Sequence, residues 1–408
     1  MSPQASNSER FHGNPANAPD PLPIAISSGK ITERDAEIIK LYVYEHATSS
    51  NAGKVTNLQL TRALITFRRW SGPYSGATII DLYKIVDGVK TDNSKKGIPY
   101  SEQMQRSYIS RAKAFFSWLV ETGESSIPEK KIRNIKVPSP FSGIKSAADL
   151  LSPEEVEEIL QACKTSRLRA LFTMLYEGGF RVGEVGTLKW GDLKFESAGI
   201  VVNVIYKTKK PRYIRLVMCK EALLKWKSDY PGDPSGDAYV FLNSRDEELQ
   251  YHAVKKMLQR VVAETTITKK VNLHLFRHSR VTHLMQEGVS ESVIKIMMWG
   301  SVNTRSFATY AHLSGADVDR AIYDLYNIDP AVTEKRQKRL EPKVCPHCKE
   351  ICGPITRFCP MCGQLLDAND IKTDEQLQKW LIENSSFLTA YLNKMQVQRE
   401  MESVLPES

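Results

Sequence analysis

The sequence predicts a mainly helical protein with one small β element in its middle third and a compact cysteine-bearing unit near its end. Three observations predict it. Apolar residues recur at helical spacing over most of the chain, β-branched alternation is confined to residues 200–218, and five of the seven cysteines fall between Cys345 and Cys362. A chain of 408 residues is too long for one small core, so two or three folded units are expected. Hydrophobic and charged contents of 41% and 25% are ordinary globular values and exclude wholesale disorder. No apolar run reaches the roughly 18 residues of a membrane span, and residues 1–30 lack the apolar core of a secretory signal. The expectation is a cytoplasmic protein with no membrane partner. Fifty-six Lys and Arg against 47 Asp and Glu give a net charge of +9, which favours polyanionic partners and nucleic acid first.

Residues 1–30, rich in Ser, Asn, Pro and Ala, read as a disordered arm. Residues 31–124 read as a helical domain. Its stripes comprise Ile38, Ile39, Leu41, Tyr42 and Val43, then Leu58, Leu60, Leu64, Ile65, Phe67 and Trp70, then Tyr108, Ile109, Ala112, Phe115, Phe116, Trp118 and Leu119. Such stripes are packing surfaces, which leaves Arg106, Arg111 and Lys113 on other faces as candidate phosphate contacts. Residues 125–149 combine Pro128, Pro138 and Pro140 with Lys130, Lys131, Arg133 and Lys136 and read as a basic linker, either lying along a phosphate backbone or simply solvated.

A new unit, residues 150–329, opens at Leu151-Ser152-Pro153-Glu154-Glu155. Ser152 suits an N-cap, Pro153 the first helical position, and Glu155 completes a capping box. Ile200 to Tyr206 is strand-like, Lys207 to Pro211 is a polar turn, and Arg212 to Met218 alternates like a returning strand. The chain is then helical from Tyr251 to about Tyr326. Residues 341–366 hold the cysteine cluster, and 371–404 read as an amphipathic terminal helix carrying Leu377, Trp380, Leu381, Phe387 and Leu388.

Four pieces of the middle unit fit one task when taken together. They are Gly179-Phe180-Arg181-Val182-Gly183-Glu184, the hairpin turn with Lys207, His274-Leu275-Phe276-Arg277-His278, and Tyr310-Ala311-His312-Leu313-Ser314. Two arginines can each donate paired N–H bonds to the non-bridging oxygens of a phosphate, a geometry lysine does not copy. His274 and Arg277 lie three residues apart and share a helical face. A lysine on a hairpin tip can protonate a leaving oxygen. A tyrosine hydroxyl can attack phosphorus and store the bond energy as a phosphotyrosyl ester. Positive side chains then neutralise the developing charge, so this chemistry calls for no metal or nucleotide cofactor.

This ordered set resembles the tyrosine recombinase (phage integrase) family over about residues 31–329. The resemblance is strongest in "DLLSPEEVEEIL", "GGFRVGEVGTLKWGDL", "VIYKTKKPRYIRL", "HLFRHSRVTHLMQEGV" and "YAHLS". Together with the terminal cysteines, "LLSPEEV" and "YAHLS" look most like archaeal Xer-like integrases. The resemblance implies a SAM-like core-binding domain over 31–124 that clamps duplex DNA with a mixed α/β catalytic domain. It also implies assembly of four protomers on two DNA sites. It assigns the catalytic roles to Arg181, Lys207, His274, Arg277 and the nucleophile Tyr310, with His278 packing behind the site and Glu184 holding the Arg181 helix. Lys209, Lys210 and Arg212 share the hairpin, so the assignment of Lys207 rests on alignment.

One local departure matters. The family places a His or Trp nine or ten residues before its tyrosine, whereas Trp299 stands eleven before Tyr310. Either Trp299 fills that slot by a one-residue shift, or Ser301 does; Trp299 can equally be core.

The cysteines form two Cys-x-x-Cys knuckles, Cys345/Cys348 and Cys359/Cys362, separated by ten residues. That spacing suits a closed tetrahedral Zn–S₄ site, which is structural. One structural zinc is expected, with Cys352 and His347 as spare donors able to substitute. Cys163 and Cys219 read as ordinary thiols. The reading that follows is a site-specific DNA recombinase. A type IB-like topoisomerase would use the same residues, and a DNA-binding or chromatin protein that has lost catalysis would explain the departure at Trp299. A zinc-ribbon transcription factor leaves the middle unit unexplained.

Overall fold

The computed structural model describes residues 11, 19–50, 52–94, 97–139, 149–204, 211–304, 307 and 339–366. The chain divides into two compact units, Met1–Ile144 and Lys145–Ser408.

The first unit is helical. Its long helices Glu33–Ser50, Lys54–Phe67, Ile79–Thr91 and Glu102–Glu121 bury most of the predicted apolar stripes around Ile39, Leu64, Phe67, Phe115 and Phe116, whereas Leu41 of the first stripe is exposed. A charged group sits inside this core. Asp35 is fully buried and accepts from the Arg68 guanidinium at 2.8 Å and from the Tyr74 and Thr32 backbone N–H groups at 2.8 and 2.9 Å. Burial pushes its pKa up, but these donors win and hold it below the usual carboxylate range.

Three expectations for this unit are corrected. The proposed disordered arm ends in a helix, Pro21–Ser27, because Asp20 caps it, proline suits its first turn, and Leu22 and Ala25 bury in the core. The proposed basic linker contains a helix, Glu129–Arg133, because Ile127 and Ile132 fill the same core. Arg106 and Lys113 are engaged within the unit: Arg106 donates to the Pro138 carbonyl, and Lys113 to those of Arg133 and Ile135. Carbonyls just past a short helix lack intrahelical partners, and these cations supply them.

The second unit opens as the capping box requires. Ser152 Oγ accepts from the Glu155 N–H at 3.2 Å, and the Glu155 carboxylate accepts from the Ser152 N–H at 2.7 Å, starting the helix Pro153–Gln161. Ser166–Glu177 is the central buried helix, followed by the short helix Val182–Gly186. A three-stranded antiparallel sheet follows, ordered β1 (Leu193–Glu196), β2 (Gly199–Val204) and β3 (Arg212–Leu216). β1 was not anticipated, since Leu-Lys-Phe-Glu is too short to show a period; it pairs Leu193 with Val202 and Glu196 with Gly199. Helices Lys220–Ser228, Tyr251–Val262, Leu273–Gln286 and Glu291–Trp299 follow, and a two-stranded antiparallel sheet pairs Lys343–Val344 with Ile351–Cys352 in the cysteine-bearing segment. No helix among the described residues is long and apolar enough to cross a membrane.

The helix Leu273–Gln286 is fixed from two sides. Ser279 is fully buried and its hydroxyl accepts from the Leu151 N–H at 2.8 Å, tying the start of the unit to its motif helix. His283 Nδ1 lies 2.8 Å from the Tyr176 hydroxyl of the central helix.

Candidate active site

Arg181 stands at the N-cap of Val182–Gly186, directly after the central helix. Gly179 makes the connection at φ +53°, a conformation that favours glycine, and a Cβ there would lie 2.5 Å from the Met298 sulfur. Glu184 is buried and fixes the arginine twice, accepting from its backbone N–H at 2.7 Å and from its guanidinium at 2.9 Å. The Arg181 side chain keeps 27% of its surface exposed.

His274 and Arg277 are three residues apart on Leu273–Gln286, near its N-terminus, where Asn272 Oδ1 accepts from the His274 and Leu275 N–H groups at 3.0 and 3.1 Å. His274 is exposed and Arg277 is buried. The Arg277 guanidinium donates to the Gly179 carbonyl, two residues before Arg181, and to the Met298 carbonyl at 2.6 Å, next to Trp299. It lies 5.0 Å from the centroid of the Trp299 ring. Trp299 is half-buried, closes Glu291–Trp299, and packs edge-on to Phe307 with ring centroids 6.3 Å apart. Gly300 then turns the chain at φ +68° ahead of the half-buried Ser301.

The structure therefore brings the Arg181, Arg277 and Trp299 segments together, with the exposed His274 on the helix that carries Arg277. Lys207 and Tyr310 lie outside the described residues, as do 308–329 of the predicted catalytic domain, 140–148 of the linker, residues 1–10 and 12–18 of the arm, and the predicted terminal helix 371–404.

A second buried cation was visible in the sequence only as one of several basic residues in the hairpin. Arg212 opens β3 on the inward face it shares with Ile214 and Leu216, and it is 2% exposed. Its guanidinium donates to Glu184, to the Met297 carbonyl at 2.9 Å and to the Met298 carbonyl at 2.7 Å. Burial lowers its pKa, the facing Glu184 opposes this, and nearby Arg181 adds to it. An arginine at an inward position of an alternating strand was the available signal. Behind it, the buried Glu177 carboxylate accepts from the N–H groups of Val217, Met218 and Cys219, anchoring the chain between β3 and the next helix to the residue just before Gly178. Desolvation, the largest influence, raises the Glu177 pKa.

The cysteine ligand set is preformed. The sulfurs of Cys345, Cys348, Cys359 and Cys362 all lie within 4.8 Å of one another, with Cys345–Cys362 and Cys348–Cys359 separations of 3.5 Å. Tetrahedral bonds of about 2.3 Å to zinc would separate sulfurs by about 3.8 Å, so the four fit that ion. Desolvation opposes ionisation of Cys359, yet the backbone N–H groups of Cys362 and Met361 hold its pKa at about 6. Cys352 is buried beside this group, and its sulfur faces the Glu350 carbonyl at 3.7 Å. The unit is clipped to the helix Lys220–Ser228: Glu221 Oε2 accepts from the Gly353 N–H at 2.6 Å and from the Thr356 hydroxyl, and Lys220 pairs with Glu350 at 2.8 Å.

Residues 149–316 match the model of the phage integrase family. The chain is 30% identical over 238 residues to the tyrosine recombinase XerC of Halalkalibacterium halodurans, an alignment spanning 53% of this chain and 74% of that one. It is 28% identical over 181 residues to transposase A of transposon Tn554 from Staphylococcus aureus, spanning 41% of this chain and 50% of the relative. Among solved structures, a Tn1549 transposon integrase in complex with a circular intermediate DNA superposes with a TM-score of 0.55 at 18% identity, covering 70% of this chain and 99% of that one. The lambda integrase bound to DNA gives 0.52 at 15% identity, covering 69% and 97%. The helix-rich architecture with its small sheet is the fold of those integrases. With its sequence similarity spanning 74% of a XerC and residues 149–316 matching the phage integrase model, the chain belongs to the tyrosine recombinase family of site-specific DNA recombinases.

Proposed function

We propose that the chain cuts and rejoins duplex DNA through a 3′-phosphotyrosyl intermediate on Tyr310, in integration, excision or dimer resolution. The observation that carries this reading is the double grip of Arg277 on the Gly179 and Met298 carbonyls, which draws the Arg181 loop and the Trp299 end of its helix onto one guanidinium. Held in this way, Arg181 and Arg277 are suited to a single phosphate. The Tyr310 oxygen attacks phosphorus and forms the P–O bond of the ester. The bond to the 5′ oxygen breaks, and Lys207 supplies the proton that makes that oxygen a hydroxyl. His274, exposed and one helical turn from Arg277, adds a hydrogen bond to the same phosphate. Reversal, with the 5′ hydroxyl of a second strand as nucleophile, rejoins the DNA and frees the tyrosine.

The helical unit over 31–124 serves as the DNA-binding partner of the catalytic unit 150–329 and supplies phosphate contacts that set register. Four copies assemble on two paired sites in the cytoplasm. One zinc held by the four cysteines braces the 341–366 unit and takes no part in strand cleavage.

The test is covalent capture on end-labelled, fragmented DNA from the host, resolved under denaturing conditions. Wild-type protein should give a denaturant-resistant adduct and Tyr310→Phe none, although both bind the DNA. An adduct with Tyr310→Phe would assign another nucleophile; no adduct with either, binding intact, would point to a non-catalytic DNA-binding protein.

A further inference from the structure

Arg212 is the most buried cation among the described residues, and burying a guanidinium is expensive. Stability alone gives little reason to keep it. Both members of a buried ion pair can commonly be replaced together by apolar side chains of similar volume without loss, and here the Arg212 Nε has no hydrogen-bond partner. What distinguishes Arg212 is the set of groups it joins. One terminal nitrogen serves the Glu184 carboxylate, which also holds Arg181; the other serves the Met297 and Met298 carbonyls, and Arg277 shares the second of these. Both arginines are thus tied, each through one intermediate group, to the same planar fork.

From this geometry we infer that Arg212 is a positioning residue for strand cleavage, setting the Arg181 and Arg277 guanidiniums relative to one another through Glu184 and the Met298 carbonyl. The inference rests on the phosphotyrosyl reading above. Without Arg212, Glu184 has only Arg181 to pair with and draws it away from the phosphate. The end of Glu291–Trp299 also loses a clamp that Arg277 alone does not replace. Lysine at this position keeps the charge but not the fork, so it reaches the carboxylate or the carbonyls and not both.

The experiment follows the rate of adduct formation and, separately, the fraction of DNA bound, on the same labelled fragments. It compares wild type, Arg212→Met, Arg212→Lys, Arg181→Lys and the double variants. Arg212→Met should slow adduct formation about a hundredfold, the size of effect that a small misplacement of a reacting group produces. Binding should change by less than about threefold, since a residue acting in the transition state leaves ground-state affinity alone. Arg212→Lys should fall between Arg212→Met and wild type. In the Arg181→Lys background, replacing Arg212 should cost no more than about a further twofold, because residues acting through one another are not additive.

Losses that multiply in the double variant, or binding that falls in step with the rate, would make Arg212 an ordinary structural residue and overturn the inference. Wild-type rates in both Arg212 variants would do the same. If Arg212→Met does not fold, the cycle with Arg212→Lys gives the same comparison. Absence of any wild-type adduct would instead remove the phosphotyrosyl reading, and this inference with it.

Discussion

The guanidinium of Arg277 lies over the indole of Trp299, 5.0 Å from the ring centroid, while one of its nitrogens donates to the carbonyl of the preceding residue, Met298. The aromatic ring thus acts as a floor for the arginine. A residue spaced one position away from the family's usual slot still has a defined partner in this chain.

That contact makes a graded prediction. Trp299→Phe keeps a ring face beneath the guanidinium and should retain adduct formation within a few-fold. Trp299→Ala should reduce it about tenfold, the scale of a desolvated cation–π contact. Equal rates for Ala and Phe, measured by covalent capture, would show that the ring serves only as packing.

Arg277 itself should tolerate no conservative change. Lysine cannot reach two carbonyls and present a planar pair of donors as well, so Arg277→Lys should lose about a hundredfold or more in adduct rate. A near-normal rate would mean that charge alone suffices.

The four-cysteine unit predicts a metal stoichiometry. Purified protein should carry about one zinc per chain, and replacing both Cys359 and Cys362 with Ser should release it, because two thiolates no longer hold the ion. Elemental analysis decides this. Adduct formation by intact protein should persist in EDTA, and an absolute requirement for Mg²⁺ would contradict cleavage driven by arginine and tyrosine.

Acid should weaken the second unit through His283. Burial, reinforced by Arg280, lowers its pKa from 6.5 to about 4. Between these values the unfolded chain binds a proton that the folded chain does not, so stability rises with pH across this window and is lost as pH falls from 6.5 towards 4. The full loss on acidification through this window is about 3 kcal/mol. Urea midpoints of wild type and His283→Gln at pH 7.5 and 5.0 check it: the variant should lose much less stability on acidification.

The sequence carried those parts of the fold that local chemistry determines. Ser152 and Glu155 announced a helix start, the runs opening at Ile200 and at Arg212 announced paired strands, and two cysteine knuckles announced a gathered set of four thiols. What escaped was fixed by tertiary contact. Pro21–Ser27 is helical because Leu22 and Ala25 find a core that proline-rich composition does not advertise. Glu129–Arg133 looked like a linker because its single buried anchor, Ile132, has no periodic neighbours in so short a segment. Within the site, Arg181, His274 and Arg277 were legible as a spaced motif. Arg212 was read as one of several hairpin cations, and only the burial of its strand face singles it out. Ser279 gave no signal at all, since its partner is a backbone N–H 128 positions away.

The attachment of the cysteine unit has a practical consequence for anyone shortening this protein. Glu221 accepts from Gly353 and Thr356 through one carboxylate oxygen, and Lys220 reaches Glu350. A chain trimmed at Leu340 would therefore strip the first turn of the helix Lys220–Ser228 of its neighbours, a few residues from the loop that Glu177 anchors. The 341–366 unit is better treated as an outer wall of the catalytic unit than as a detachable appendage.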